Sequence, residues 1–325
     1  PLCAQEAPDE LLKKARQHFA EHKDTANMLI KQAISQAQAT QDTATFFEAS
    51  LLKTRLMQNL GNMEAAVSTN QNLLQQAKQQ GNKYYQARCL RALGESERAM
   101  AFLHTSMDYL HEALAVYKTL SDTTGIANTY NRMAATLYEM KKYGQSLAYA
   151  DSSNHLTQTG QADSILLASN YEVMGAVYRS LHKDTALSYF QKALNIYKKH
   201  APRHLPNIYT NIMVYYKMQP KPEKAIAAGE KALAIARGHD NLVYQQNIGM
   251  YMSQTYESLG LYKKALHYAK VYTDAKVKLY RQTKNDLSAY YRQEFEAEKR
   301  ENQIKLQQKQ LEKNEVQQQH YLTGI

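Results

Sequence analysis

The sequence contains little glycine and proline and lacks tryptophan: its 325 residues include 12 Gly, 6 Pro and no Trp. A chain with many tight turns or strands normally uses more of the first two. Ala, Leu, Gln, Lys and Tyr dominate instead, and this composition favours helix. The 25 tyrosines supply large packing surfaces whose hydroxyl tips need water or a hydrogen-bond partner. The composition therefore predicts an all-α protein.

Cysteines are also scarce, and long apolar runs are missing. Cys3 and Cys89 are too few for a disulfide framework, so we interpret them as unpaired thiols. No run of about 20 apolar residues is present, so these residues contain no complete membrane span. The net charge of +10 comes from basic residues dispersed along the chain. Dispersed charge is more typical of solvated helix faces than of a nucleic-acid interface, and we expect no nucleic-acid partner.

The first residues, PLCAQEAPDE, lack an initiator Met. The letters LCA before Gln5 resemble the small-residue end of a secretory signal peptide. We therefore interpret residues 1–7 as a remnant that follows signal-peptide removal, with an arbitrary cut as the alternative. Lipidation of Cys3 is a weaker hypothesis, because Leu2 is larger than the residue that usually precedes a lipidated cysteine. Secretion would place the protein on the extracytoplasmic side of a membrane.

A 40-residue period dominates the rest of the chain. Small residues that would open the second helix of a hairpin recur at steps of 40, 40, 40, 40, 39 and 40. They are Ala26, Ala66, Ser106, Ser146, Ala186, Ala225 and Ala265. Apolar residues at steps of three and four form one stripe on each helix, and turn motifs such as NLGN separate the helices. One hairpin cannot bury its stripe alone, so we predict about seven stacked hairpins over residues 8–283.

The segments YFQKALNIY, YLHEALAVY and GEKALAIA combine small residues at tight contacts, aromatics between them, and Ala-Leu in the second helix. In these features the chain resembles the tetratricopeptide repeat (TPR) family. It departs from the family in its longer unit and in mostly lacking the Pro that follows the second helix. The resemblance implies a TPR-type right-handed superhelical solenoid. It also implies a groove, lined by the first helix of each hairpin, that binds a peptide or a protein.

The C-terminal part differs from the repeats. We predict a long polar helix over residues 284–320, which could act as a coiled-coil linker. Ile304 and Leu311 lie one heptad apart, but Gln318 breaks the series, so a solvated single helix is the alternative. The last residues, YLTGI at 321–325, turn apolar, and we interpret them as the start of a transmembrane segment that continues after residue 325.

This layout resembles the extracytoplasmic half of Bacteroidetes-type bacterial sensor proteins with TPR ectodomains. The stretch EFEAEKRENQIKLQQKQ, at 294–310, carries the likeness. In such proteins a membrane span follows the charged helix, and a cytoplasmic module follows the span. That module is often a histidine kinase and sometimes a DNA-binding output. The resemblance therefore implies an output module beyond residue 325, either a histidine kinase or a DNA-binding regulator, which no motif in this sequence shows.

Motifs for catalysis are missing from the sequence. It has no phosphate-binding glycine loop, no glycine-flanked serine nucleophile and no His-Glu-x-x-His. His18 and His22 lie one turn apart but have no nearby Cys or Asp ligands, so we interpret them as exposed histidines. We therefore predict that this fragment is not an enzyme and has no catalytic residue, cofactor or metal.

Polar residues on the predicted first helices are the candidate peptide-binding groups. Asn offers both a donor and an acceptor to a peptide amide, and Arg can bind a carboxylate with two hydrogen bonds. The candidates are Arg88, Arg91, Glu95, Arg98, Asn128, Asn131, Arg132, Tyr138, Asn207, Asn211, Asn247 and Tyr251. The alternative is that they are ordinary solvated surface residues.

Two functions fit these observations. The first is a periplasmic, peptide- or protein-binding sensory domain of a membrane-anchored signalling protein of the two-component type, whose C-terminal helix transmits the signal. A homodimer could form through the solenoid or through this helix. The second is a soluble TPR adaptor, cytoplasmic or secreted, that holds partner proteins together.

Overall fold

The computed structural model describes residues 6–19, 22–159, 164–219 and 221–323. These residues form fourteen α-helices and one short 3₁₀ helix, with no strand in any of the four ranges. The helices are α1 (Pro8–His18), α2 (Lys23–Ala39), α3 (Thr43–Asn59), α4 (Met63–Gln79), α5 (Lys83–Ala99), α6 (Leu103–Thr119), α7 (Thr123–Glu139), α8 (Tyr143–Thr159), α9 (Ser164–Ser180), α10 (Thr185–His200), the 3₁₀ helix η1 (Pro202–His204), α11 (Leu205–Met218), α12 (Pro222–Gly238), α13 (Leu242–Ser258) and α14 (Tyr262–Thr323). They pair into seven hairpins, which confirms the predicted fold class.

The period comes from a regular half-unit. Helices α2 to α8 each contain 17 residues, and within this set three residues connect one helix to the following one. The middle residue of each connection has a positive φ, as at Gly61 (78°). The residue after it, here Asn62, donates its backbone N–H to the Met57 carbonyl at 2.9 Å, which ends the helix in a left-handed turn. Two such helices and two such turns make one 40-residue unit.

Asn and Asp begin many of these helices. The side chains of Asn62 and Asp122 accept hydrogen bonds from the backbone N–H three residues later, and Asp122 does so from Gly125 at 2.9 Å. Such caps satisfy donors that the first turn of a helix leaves free. Turn and cap together fix where each helix starts, so every hairpin presents its residues in the same register.

The contacts between helices define an inner and an outer layer. The first helices of successive hairpins, α1, α3, α5, α7, α9, α11 and α13, each contact the next first helix. Across the described residues, no second helix contacts the next second helix. A stack that is continuous on one side and splayed on the other curves toward the continuous side. The first helices therefore form the inner surface.

Small residues sit where the helices touch. The seven residues that define the period are all buried, with at most 8% of their surface exposed. Ser146 Oγ donates to the Ala134 carbonyl at 2.7 Å, and a Cβ on Gly94 would lie 2.8 Å from Leu110 Cγ. Larger side chains at these points would separate the paired helices. This close contact is the physical reason why the period is visible in the sequence.

The last helix is much longer than the others. Helix α14 has 62 residues, or about 90 Å at 1.5 Å per residue, and it is continuous through the predicted boundary at 283/284. None of the helices in the described part of the chain combines the length and apolarity needed to span a bilayer. Cys3 lies outside the described residues, as do Gly324 and Ile325, the end of the predicted membrane segment at 321–325.

Helix α14 also returns to the first hairpins. Lys23 Nζ lies 2.7 Å from Asp286 Oδ2, and Asn62 Nδ2 donates to the Tyr291 hydroxyl at 2.8 Å. Between them, Leu287 packs against the apolar cluster of the first two hairpins. We call Lys23, Asn62, Asp286, Leu287 and Tyr291 the ring-closing contact. It links the two ends of the solenoid.

Candidate functional site

All twelve predicted binding residues lie on helices of the inner surface, namely α5, α7, α11 and α13. Because the hairpins repeat in register, equivalent positions line up from one helix to the next. Glu48, Arg88, Asn128, Asn207 and Asn247 occupy one such position. Many of these side chains contact the neighbouring inner helix, so the polar residues form a continuous row across the stack.

Four arginines surround Glu95 at the N-terminal half of this row. Arg132 Nε lies 3.0 Å from Glu95 Oε1, and Arg91 Nη1 lies 3.3 Å from the same oxygen. Burial by itself would raise the pKa of the Glu95 carboxyl. The guanidiniums outweigh burial and hold that pKa below its usual range; they belong to Arg132, Arg91, Arg98 and Arg55. We call Arg55, Arg91, Arg98 and Arg132 the arginine cluster.

Positive charge exceeds negative charge around this cluster. Two further arginines, Arg16 and Arg88, share Glu48, and Arg98 pairs with Glu139. The six arginines thus contact or surround three glutamates. The Nε–H groups of Arg91 and Arg98 are buried and have no acceptor within the described ranges. Because six arginines face three glutamates, the surface keeps spare positive charge.

The predicted asparagines of α7 have different surroundings. Asn131 is only 1% exposed, and its amide donates to Asn170 Oδ1 at 2.7 Å. Asn170 in turn donates to Ser153 Oγ at 2.8 Å, so this pair joins α7, α8 and α9 inside the stack. Asn128 is partly exposed and donates to the Thr124 carbonyl one turn earlier. Of the two, Asn128 is the one that a ligand could reach.

A second polar group occupies α9 to α11, and its central residue was not among the predicted ones. Glu172 accepts hydrogen bonds from the Tyr197 hydroxyl at 3.1 Å, from Asn211 Nδ2 at 3.0 Å and from Asn207 Nδ2. Arg179 Nη1 donates to Asn211 Oδ1 at 2.8 Å. We call these five residues the Glu172 centre. Burial raises the pKa of the Glu172 carboxyl to about 7, even though Tyr197, Arg179 and Asn211 act in the opposite direction.

The remaining predicted residues lie on α7 and α13, on either side of the Glu172 centre. The Tyr138 hydroxyl lies 3.4 Å from Arg179 Nη2 and 3.4 Å from Ser180 Oγ. Lys217 Nζ lies 5.9 Å from the centre of the Tyr251 ring and donates to Gln254 Oε1 at 2.6 Å. Asn247 is partly exposed on α13. Polar contacts between inner helices thus run from α3 to α13.

Side chains suited to metal binding or nucleophilic catalysis do not form a cluster among the described residues. The rings of His18 and His22 lie 5.5 Å apart, and nowhere in the described residues do three His, Cys, Asp or Glu side chains come close enough to hold a metal ion. Cys89 is buried, and burial raises the pKa of its thiol to about 12. At neutral pH this thiol is protonated and is a poor nucleophile. What the inner surface offers is charge and hydrogen bonding for recognition.

Comparison with known proteins identifies the repeat. A family profile described as "Tetratricopeptide repeat" matches residues 125–199 and 165–238. No curated protein matches the chain in sequence.

Several solved structures share its fold. The Rap conjugation gene regulator of plasmid pLS20, in complex with the Phr* peptide, superimposes with a TM-score of 0.66 at 14% identity, over 84% of this chain and 74% of that one. A Rap protein complexed with Competence and Sporulation Factor gives 0.64 at 14% identity, over 85% and 86% of the two chains. Aspartyl phosphate phosphatase F from Bacillus subtilis gives 0.56 at 17% identity, over 87% and 78%. Identities this low indicate a common fold only.

Proposed function

The chain is a tetratricopeptide repeat protein, and from this premise we propose that its inner surface binds an extended peptide or partner segment, as the extracytoplasmic sensory part of a membrane-anchored bacterial signalling protein. A TPR fold supports a peptide- or protein-binding role. The sensory role and the membrane anchor are additional parts of the proposal, beyond what the TPR fold supports. They draw on the long C-terminal helix and on the apolar turn of the sequence at 321–325.

The arginine cluster is the observation that carries the binding proposal. Arg16 and Arg88, together with the arginine cluster, make six arginines around three glutamates and leave a positive surface. The side chains of Arg91 and Arg98 are partly exposed, so their outer guanidinium N–H groups can donate to a ligand. Carboxylates fit best, because they bring both the acceptor and the opposite charge. We therefore expect acidic side chains or a terminal carboxylate at this position.

Two similar folds carry ligands of this general kind. The Rap conjugation regulator was solved with the Phr* peptide, and another Rap protein was solved with Competence and Sporulation Factor. Their low identity transfers neither the ligand nor its binding residues. They support the proposal only in that a solenoid of this geometry can accommodate such a partner.

The ring-closing contact gives the proposed signal a route to the C-terminal helix. A ligand can shift a conformational equilibrium only if it binds one arrangement better than another. A peptide that bridges several inner helices would favour one curvature of the stack. Because Lys23 and Asp286 join the first hairpin to α14, a change in curvature would alter this ion pair and the position of α14. The helix would then pass the change toward the membrane.

The binding proposal is tested by neutralising two arginines. We expect the double variant Arg91→Gln/Arg98→Gln to bind labelled acidic octapeptides at least ten-fold more weakly than the parent, measured by fluorescence polarisation. Each lost charged hydrogen bond is worth about 1.5–3 kcal/mol, and about 1.4 kcal/mol corresponds to a factor of ten. Glu95 keeps Arg132 as its partner, so the fold should persist.

The matched control is Lys118→Gln/Lys198→Gln, which removes two charges from exposed positions on the outer helices α6 and α10. It should leave the affinity nearly unchanged at moderate salt. Equal losses in both double variants would mean that only net charge matters, and the arginine cluster would then have no specific role.

The anchor is tested by the coding sequence after Ile325. We expect it to continue with about 20 apolar residues followed by basic ones, since these are the marks of a membrane span and its cytoplasmic flank. A stop codon or a polar continuation would contradict the anchor and leave the soluble adaptor as the better description. The peptide-binding proposal would stand in either case.

A further inference from the structure

Glu172 differs from the other acidic residues of the inner row in its partners. Glu48, Glu95 and Glu139 each pair with at least one arginine. Glu172, by contrast, accepts only from neutral groups, and no Lys or Arg in the described residues forms an ion pair with it. The guanidinium of Arg179, which lowers the pKa of the Glu172 carboxyl, donates its hydrogen bonds to Asn211 and to Tyr138 instead. Among the described residues, Glu172 is therefore a partly buried carboxylate without a direct ion-pair partner, and Arg179 acts on it only from a longer distance.

The carboxylate is held in place by three donors and has an acceptor position left for one more. Oε1 accepts from Asn207 and Asn211, and Oε2 accepts from Tyr197. An ionised carboxylate has about four acceptor positions, so at least one remains, on Oε2. Three donors from two other elements fix the direction of the carboxylate before any ligand arrives, which lowers the entropic cost of binding. The geometry is that of a preformed acceptor.

We propose that the Glu172 centre binds a positively charged group of the peptide, either a terminal ammonium or a Lys or Arg side chain. This inference rests on the proposed peptide-binding function and adds to it. The groove then has two unlike ends, with the arginine cluster taking the acidic part of the ligand and Glu172 taking the basic part. A peptide could lie in one orientation only.

The spacing of the two ends sets the spacing of the charges. Glu95 lies on α5 and Glu172 on α9, two steps along the inner layer. Packed helices are about 8–10 Å apart, so the two centres are about 16–20 Å apart. An extended chain rises about 3.3 Å per residue. The ligand we infer therefore carries its acidic and basic groups about five or six residues apart.

Several titratable or charged groups surround Glu172 and bear on the test. Arg179 lies on the same helix, Tyr197 on α10, Tyr244 on α13 and Arg132 on α7, and His204 of η1 stacks on the Tyr197 ring at 4.9 Å. Tyr197 and Tyr244 have pKa values raised by burial and stay neutral below pH 8. Burial lowers the pKa of His204, so this ring, like Glu172, loses a proton as the pH rises.

The experiment compares two labelled octapeptides that carry one Glu and, six residues away, either Lys or acetyl-lysine. Acetylation removes the charge but keeps the side chain. We expect the parent protein to bind the Lys peptide about ten-fold more tightly than the acetyl-lysine peptide at pH 8. In the Glu172→Gln variant this preference should disappear, while affinity for the acetyl-lysine peptide stays. Glu257→Gln, which removes an exposed carboxylate from α13, is the matched control and should keep the preference.

The pH profile gives a second readout. Between pH 5.5 and 8 the Glu172 carboxyl loses its proton, so affinity for the Lys peptide should rise about ten-fold in the parent and stay flat in Glu172→Gln. A rise that persists in Glu172→Gln would assign the effect to His204 and overturn the inference, as would equal binding of both peptides to the parent. If neither peptide binds the parent and no acidic octapeptide does, the proposed function itself fails. If only the Lys preference is missing, the inference fails alone.

Discussion

Replacing Phe190 by alanine is expected to lower the free energy of unfolding by about 3–5 kcal/mol. The ring is completely buried and belongs to the largest apolar cluster, which spans α9 to α14. It fills the space beside Gly175, where a Cβ would lie 2.6 Å from ring carbon Cδ1. A smaller residue would leave a cavity between α9 and α10 that the tightly paired helices could not close.

Urea denaturation followed by circular dichroism measures this loss. Because solenoid repeats unfold partly independently, hydrogen exchange should place the faster opening in α9 and α10. The control is Phe102→Ala, which makes the same substitution at a ring that is 58% exposed before α6, and it should cost less than about 1 kcal/mol. Similar losses for the two variants would show that Phe190 does not have the core role assigned to it.

The Gly249→Leu variant is expected to lose about 3 kcal/mol of stability through overpacking. A Cβ at Gly249 would lie 2.7 Å from the backbone nitrogen of Tyr272 and 3.1 Å from the Tyr268 carbonyl oxygen. These are main-chain atoms of α14 and cannot rotate aside as a side chain could. Helices α13 and α14 would have to separate, and α14 would leave its place against Lys23.

Thermal unfolding measures the stability change, and hydrogen exchange in α2 reports the loss of the contact with α14. Gly144→Leu is the control, since Gly144 is exposed on α8 and nothing lies within 4 Å of its Cβ position. That variant should be neutral or slightly more stable, because leucine favours helix over glycine. A Gly249→Leu protein as stable as Gly144→Leu would contradict the close approach of α13 and α14.

The hairpins could be predicted from the sequence because close helix contacts demand small residues at fixed intervals. Ala66 and Ser106 are recognisable without a structure for that reason. The return of α14 to the first hairpin was not predictable. It depends on the small rotation between successive hairpins, added up over seven of them, and no local sequence pattern records that rotation.

The candidate site was predictable in part for a related reason. The 40-residue period places Arg91 and Asn131 at the same position of α5 and α7. Glu172 occupies that position in α9 but lies 41 residues after Asn131. A strict 40-residue period therefore points to Tyr171 and misses Glu172. Burial was also not predictable from the period, since Asn131 faces the interior and Glu172 is partly exposed. Equivalent positions share a place along the helix but not an environment.

The ring-closing contact also limits how many repeats can lie between Lys23 and Asp286. In an open solenoid each hairpin touches only its neighbours, so one can be duplicated or deleted without affecting the distant ones. Here Lys23 and Asp286 are 263 residues apart in sequence and meet only after all seven hairpins have stacked. A descendant with six or eight hairpins would carry Asp286 past its partner. Gain or loss of a repeat between Lys23 and Asp286 would therefore break this contact.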